Sequence, residues 1–353
     1  MQPLTISESD FLPFKIPFRE PFTFADTTIN ERRGFYLSLT TADGSIAQGE
    51  IAPLDGISPE TTKRVKHDLA EIRSYLKELT IPLQKDELLE QLRHEPHLLN
   101  SCASVRFAVE SAILLLAAKA ANQSLVEFLG GELNDVQTAV LLQGPYQKVM
   151  DDFKRFAAVG AKVFKLKVGD RNIALDVKKV NDIRILLDQE SYLRLDGNRV
   201  WSFKEACIFA ELVGNQKIDF IEEPVNDVTQ LDAFYQKTRM RVGLDETLSV
   251  VRSGIRAPGR CSPPLADQEG VIAYVLKPMI LGLVPVLDWI EEAKLSNRKA
   301  IISAAFESPV GFKVLANLAC YSGHIAGLGT ERWFKQGNPI VGEDGVIKKE
   351  LLV

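Results

Sequence analysis

Eight short apolar runs recur between residues 138 and 329, and no other feature constrains the fold of this chain as strongly. They are Thr138–Gln143, Lys162–Val168, Tyr192–Asp196, Ile218–Glu223, Arg241–Asp245, Ala273–Lys277, Ala300–Ala305 and Ile325–Gly329. From the second run onward the ends follow one another at intervals of about 23–32 residues, and a polar or charged residue closes most of them. One such interval holds a strand, a helix and two loops. Eight of them predict an α/β chain folded as a (β/α)8 barrel of the TIM type. A doubly wound open sheet would not repeat so evenly, and no Gly-x-Gly-x-x-Gly follows the first run.

The residues before the repeat have another rhythm. Residues 33–52 alternate around Asp43-Gly44, a strong hairpin signal, and helical spacing follows over about 59–79 and 101–121. The expectation is an α+β capping domain over 1–130, completed by the C-terminal tail 336–353, and a catalytic barrel over 131–335. Residues 252–270, with Pro258, Pro263 and Pro264, read as an irregular surface insertion.

Composition narrows the function. Lys and Arg total 42 against 47 Asp and Glu, a net charge of −5, which argues against a nucleic-acid or anionic-membrane partner. The apolar stretch Ala112–Ala118 is too short to span a bilayer, and the start lacks the basic and apolar regions of a signal peptide. Cys102, Cys207, Cys261 and Cys320 are far apart and read as reduced thiols, so a cytoplasmic location is expected.

Barrel chemistry sits at the C-terminal ends of the strands. Three consecutive runs end in acids there: Asp196, Glu222 and Asp245. Three carboxylates meeting at one mouth repel one another unless a cation lies between them. With hard oxygen donors and no nearby His or Cys, that cation is expected to be Mg²⁺, with Mn²⁺ also suitable. Lys165 and Lys167 share one face of the second strand. In a barrel that face points inward, where a buried ammonium needs an anionic partner. Lys277 ends the sixth strand, across the barrel. A base, a carboxylate cup and a second cation suit removal of a proton from carbon next to a carboxylate. Crowding by another cation lowers the pKa of a lysine and makes it a usable base.

Lys165-Leu-Lys167, Asp196-Gly-Asn198, Ile221-Glu222-Glu223-Pro224, Leu244-Asp245-Glu246-Thr247 and Leu276-Lys277-Pro278 together resemble the enolase superfamily, across nearly the whole chain. The lysines on strands two and six resemble its muconate-lactonizing-like group. Within that group the chain is most similar to the o-succinylbenzoate synthase family of menaquinone biosynthesis, through Gly49–Thr61, Leu193–Trp201 and Gly327–Phe334. The resemblance makes the first acid of each double-acid motif the ligand, Glu222 and Asp245, beside Asp196. It implies a Mg²⁺-dependent carbon–oxygen lyase acting on a small carboxylate. Lys167 would take the ring proton of 2-succinyl-6-hydroxy-2,4-cyclohexadiene-1-carboxylate and return it to the departing hydroxyl. Lys277 would be a fixed cation on the opposite face, and Lys165 would support Lys167. Asn198, Ser303 and Gly327 are the implied substrate contacts, with Arg194 steering the succinyl carboxylate. Residues 17–24 resemble a cap-domain loop that closes over substrate, against a plain reading as a core edge with Phe22 and Phe24 buried. Two other readings stay open. One is a racemase of N-acylamino acids or an epimerase of dipeptides, the latter disfavoured by Gly327-Leu-Gly329 where an Asp-x-Asp would stand. The other is a barrel that has lost catalysis and serves in binding.

Overall fold

The computed structural model describes residues 3–24, 27–54, 58, 60–77, 79–169, 172–251, 268–335 and 340–353. Of the insertion expected at 252–270, residues 252–267 therefore lie outside the described residues, Cys261 among them, as do the side chains of Phe22 and Phe24.

The N-terminal part is an antiparallel sheet of β1 (Leu4–Phe24), β2 (Thr27–Thr41), β3 (Ile46–Ile51) and β4 (Thr80–Ile81), in the order β3-β2-β1-β4. Thr41-Ala-Asp43-Gly44-Ser45 turns β2 into β3, with the Thr41 hydroxyl and the Ser45 amide donating to the Asp43 carboxylate. One face of the sheet packs on helix Ala103–Ala120, which is buried along almost its whole length. That helix is apolar all round, and Arg106 and Glu110 neutralise each other inside it at 2.6 Å. The contact is tight at Gly49, where a β-carbon would stand 2.0 Å from the Ala108 carbonyl oxygen. Residues 17–24 belong to β1, with an irregular register against β2 between Pro17 and Phe22, so they form a bulged strand end.

The repeat forms a parallel sheet: β6 (Val140–Leu142), β7 (Val163–Lys167), β8 (Tyr192–Asp196), β9 (Ile218–Glu222), β10 (Val242–Leu244), β11 (Val271–Leu276) and β12 (Lys299–Ile302). Helices 146–158, 173–186, 203–213, 231–238 and 283–295 lie between successive strands. The eighth run is too short to be a full strand, yet it closes the sheet on itself. Ala326 bridges to Thr138 before β6, and Gly327 bridges to Ser303 after β12. The Gly327 amide donates to Ile302 and the Ala139 amide to Ala326, so both edges of the sheet are satisfied. The fold is the expected barrel with an N-terminal capping domain.

The end of the barrel meets the capping sheet, with the Lys335 amide donating to the Pro17 carbonyl and Arg19 Nε to the Phe334 carbonyl. The tail is expected from sequence to complete the capping domain, but these of its contacts are with the barrel part: β13 (Val346–Ile347) pairs with β5 (Val136–Gln137), and Lys313 and Asn317 donate to the carbonyls of Val353 and Leu352. Among the described residues no helix is long and apolar enough to cross a membrane, and Cys102, Cys207 and Cys320 are free thiols.

Because the Gly49 contact is with backbone that cannot rotate away, Gly49→Ala should lower stability by about 1–3 kcal/mol. A fall in the urea midpoint without a change in slope checks it.

Candidate active site

Strand register builds the site. Lys167 lies opposite Asp196, and Asp196 opposite Glu222, so a cation and two carboxylates share one row at the C-terminal edge of β7, β8 and β9. Asp245 follows β10, Lys277 follows β11 and Ser303 follows β12 at the same end. Lys165 is one inward position below Lys167, as the period of two requires.

These groups neutralise one another. The Lys165 ammonium donates to Glu222 and lies 2.9 Å from Asp196, while Lys277 Nζ donates to Asp245 at 2.6 Å. Burial works against a charge on Lys165, but Asp196, Glu222 and Asp245 outweigh it and hold that ammonium well above the usual lysine range. Lys277 is likewise raised against burial by Asp245. Lys167 goes the other way. Burial lowers its pKa, Lys165 and Lys277 add repulsion, and Asp196 only partly offsets them. Burial raises Glu222 to about 7, with Asp196 and Asp245 adding repulsion and Lys165 opposing.

A cavity of about 280 Å³ opens over this row. It is lined by Lys165, Lys167, Asp196, Asn198, Asp245, Lys277, Ser303 and Gly327, with apolar walls from Leu54, Leu141, Ile280, Leu281 and Phe306. Glu222 is beneath it, behind Lys165. A larger cavity of about 500 Å³ lies beyond the shared wall of Ala139, Leu141, Gln143 and Gly329, but none of the strand-end carboxylates reaches it. Lys165, Lys167, Asp196, Asp245 and Lys277 line the smaller one.

Arg194 has hydrogen-bond partners below the cavity. It is buried and inward-facing, but two residues below Asp196 it reaches downward instead of to the cavity. Its Nε donates to Asp219 at 3.2 Å and its Nη1 to the Ile325 carbonyl at 2.7 Å. Lys299 completes this floor with a 2.5 Å bond to Asp219. In this structure Arg194 plugs the barrel and does not line the cavity.

Two further residues matter that the motifs alone left aside. Glu223 turns its carboxylate back to accept from the amides of Asp245 and Thr247, both at 2.8 Å, and thereby sets the Asp245 turn. Glu246 lines the cavity, with Asn198 Nδ2 donating to it at 3.1 Å. Burial raises Glu246 to about 6, helped by Asp245. The doubled acids were the available signal for both.

Among the described residues no three acidic, imidazole or thiol groups stand preformed as a cation cage. The donor set nevertheless fits a hard divalent cation. Asp196, Glu222 and Asp245 are buried hard oxygen donors at one end of neighbouring strands, the type of ligand such a cation takes.

Comparison with known proteins gives the chain its family. Residues 148–255 match the family model "Enolase C-terminal domain-like", and residues 7–115 match "MenC, N-terminal domain". The o-succinylbenzoate synthase of Aliivibrio salmonicida is 30% identical over 329 residues, 91% of this chain and 90% of that protein. Protein PHYLLO, chloroplastic, of Arabidopsis thaliana is 30% identical over 312 residues, 82% of this chain, though the chain spans only 18% of that protein. The dipeptide epimerase of Cytophaga hutchinsonii, whose crystal structure is a complex with Mg and D-Ala-L-Val, superposes with a TM-score of 0.80 at 22% identity. That superposition covers 98% of this chain and 93% of the epimerase.

A capped barrel with this site and these matches defines a class of enzymes, and the chain belongs to it: the enolase superfamily. Within the superfamily its sequence relatives include the o-succinylbenzoate synthases.

The raised Glu222 also predicts how metal-free stability depends on pH. Its folded pKa of about 7 stands above the ordinary 4.5. The protonated carboxyl therefore stabilises the fold fully below 4.5, and that contribution is lost as pH rises through about 7. In EDTA, Glu222→Gln should gain on the wild type in urea midpoint between about pH 4.5 and about pH 8. A constant difference would contradict it.

Proposed function

We propose that the chain is a Mg²⁺-dependent o-succinylbenzoate synthase that dehydrates 2-succinyl-6-hydroxy-2,4-cyclohexadiene-1-carboxylate to 2-succinylbenzoate. The observation that carries this reading is the asymmetry of the two cavity lysines. Lys277 Nζ donates to Asp245 at 2.6 Å and is held there as an ammonium, whereas burial and the Lys165 and Lys277 cations lower Lys167. One base facing one fixed cation suits a one-base elimination better than a two-base racemisation.

Asp196, Glu222 and Asp245 would hold Mg²⁺, or Mn²⁺ in its place, exchanging the Lys165 contacts for the metal. When bound, the metal supplies electrophilic stabilisation of charge developing on the substrate carboxylate. Neutral Lys167 Nζ takes the proton from the ring carbon bearing that carboxylate, and the C–H electron pair enters the ring. The Lys167 ammonium then gives the same proton to the hydroxyl as its C–O bond breaks, so water leaves and the ring becomes aromatic. Lys277 faces the substrate from the other side as a fixed positive charge. Lys165, permanently charged, keeps Lys167 from protonating early. Asn198, Ser303 and Gly327 would contact the substrate, with Gly327 leaving room beside Ser303, whose Oγ would be 3.1 Å from an added β-carbon.

A second reading rests on Lys167 and Lys277 lining one cavity from opposite strands, an arrangement that also serves racemisation of N-acylamino acids. The absence of acids in Gly327-Leu-Gly329 weighs against dipeptides.

The test is loss of the cyclohexadiene absorbance with Mg²⁺ and then with EDTA. Turnover is expected only with metal, and Lys167→Ala should lower kcat by about 10²–10⁴-fold. No turnover, with α-proton exchange of N-succinylamino acids in deuterated buffer instead, would replace the lyase reading by the racemase one.

As pH falls, Lys167 takes up a proton and can no longer act as base, so kcat/KM should drop on the acid side. Lys165→Met removes one cation beside Lys167 and should move that acid limb to higher pH, read from the kcat/KM profile. An unmoved limb would show that Lys165 does not tune the base.

A further inference from the structure

The cavity has one wall that the catalytic groups do not explain. Phe306, in the segment after β12, lines it with φ of +61°, a left-handed conformation that bulky residues rarely adopt without support. The support comes from the other domain. Arg32 of β2 is 1% exposed. Its Nε donates to the Phe306 carbonyl at 2.9 Å, its Nη1 to the Pro53 carbonyl at 2.6 Å and its Nη2 to the Ala52 carbonyl. Pro53 leads directly into Leu54, the capping-domain residue that lines the same cavity. One planar guanidinium thus grips the backbone on both sides of a domain boundary, a task suited to its fixed fork of donors.

Glu50, buried on β3, is the counter-charge. It feels the Arg32 cation and accepts from the Ser308 amide at 2.9 Å, the Ser308 hydroxyl at 2.6 Å and the Gly311 amide at 2.9 Å. It therefore fixes the far end of the Phe306 segment at the start of helix Pro309–Ser322. Between these anchors, the Ala305 amide donates to Glu307 at 2.7 Å. The Phe306 ring packs edge-on against Phe18 of β1, with centroids 5.5 Å apart.

We propose that Arg32 is a positioning residue of the active site, holding Leu54 and Phe306 together as one apolar wall for the non-reacting part of the substrate. The inference rests on the cavity being the active site, as proposed above, but not on which of the two reactions occurs there. Arg32 touches no reacting atom, so its loss should be felt in binding.

Arg32→Lys keeps the charge beside Glu50 but loses the fork. Its KM is expected to rise about tenfold with kcat within about threefold of wild type, because the proton-transfer groups are untouched. Phe306→Ala, which leaves Arg32 in place, should reproduce the KM effect. An Arg32→Lys KM within twofold of wild type, or a loss confined to kcat, would overturn the proposal. Amide hydrogen exchange on the substrate-free protein gives a readout independent of the reaction and of its assignment. Arg32→Lys should speed exchange at Ala305 and Ser308 about tenfold while β7–β9 stay at the wild-type rate. Unchanged or uniformly faster exchange would overturn the proposal, even if the wild type proved to catalyse neither proposed reaction.

Discussion

Ionised groups are expensive inside a protein, and this barrel carries a ring of them at one end: Asp196, Glu222 and Asp245 interleaved with Lys165, Lys167 and Lys277. A group there stays charged only where a neighbour of opposite sign outweighs burial, and the strand register decides who the neighbours are. The compensation is uneven. Lys165 and Lys277 each touch carboxylates and are driven to the charged state, whereas Lys167 faces two cations and is driven from it. Burial and the neighbouring carboxylates leave Glu222 the acid that most readily takes up a proton. The proposed base, its two fixed cations and the proposed place for a divalent metal all draw on that imbalance.

The rest of the molecule serves to hold the ring in place. Below it, Arg194, Asp219 and Lys299 close the barrel floor with a second, self-contained set of charges. Beside it, Glu223 clamps the turn that carries Asp245. Above it, the antiparallel sheet sends Leu54 into the cavity, with Arg32 and Glu50 reaching the segment after β12. The capping domain is therefore part of the site's wall, joined to the barrel through buried polar contacts as well as through Phe18 and Phe306.

Much of this could be read without a structure. The spacing of eight apolar runs leads to the barrel because each interval is the length of one strand–helix unit. Seven of the runs became strands, and the eighth, though short, supplied the two bridges that closure needs. The charged residues at strand ends were legible for the same reason: in a parallel barrel the C-terminal ends gather at one mouth, so order along the chain becomes proximity in space.

Other features were decided only by the folded chain. Sequence placed Arg194 inward but could not say whether a long side chain two residues below the rim turns up or down. Asp219 and the Ile325 carbonyl decide that, and neither is near Arg194 in sequence. It set Glu223 and Glu246 aside as the second acids of their motifs, whereas the backbone turns after β9 and β10 give one to a loop and the other to the cavity. Arg32 bears no motif at all, and its three carbonyl partners come from residues 52, 53 and 306. Periodicity determines which residues share a face and an end of the barrel. The partner a buried charge finds depends on contacts across hundreds of residues, and those exist only once the barrel has closed and the capping sheet has docked on it.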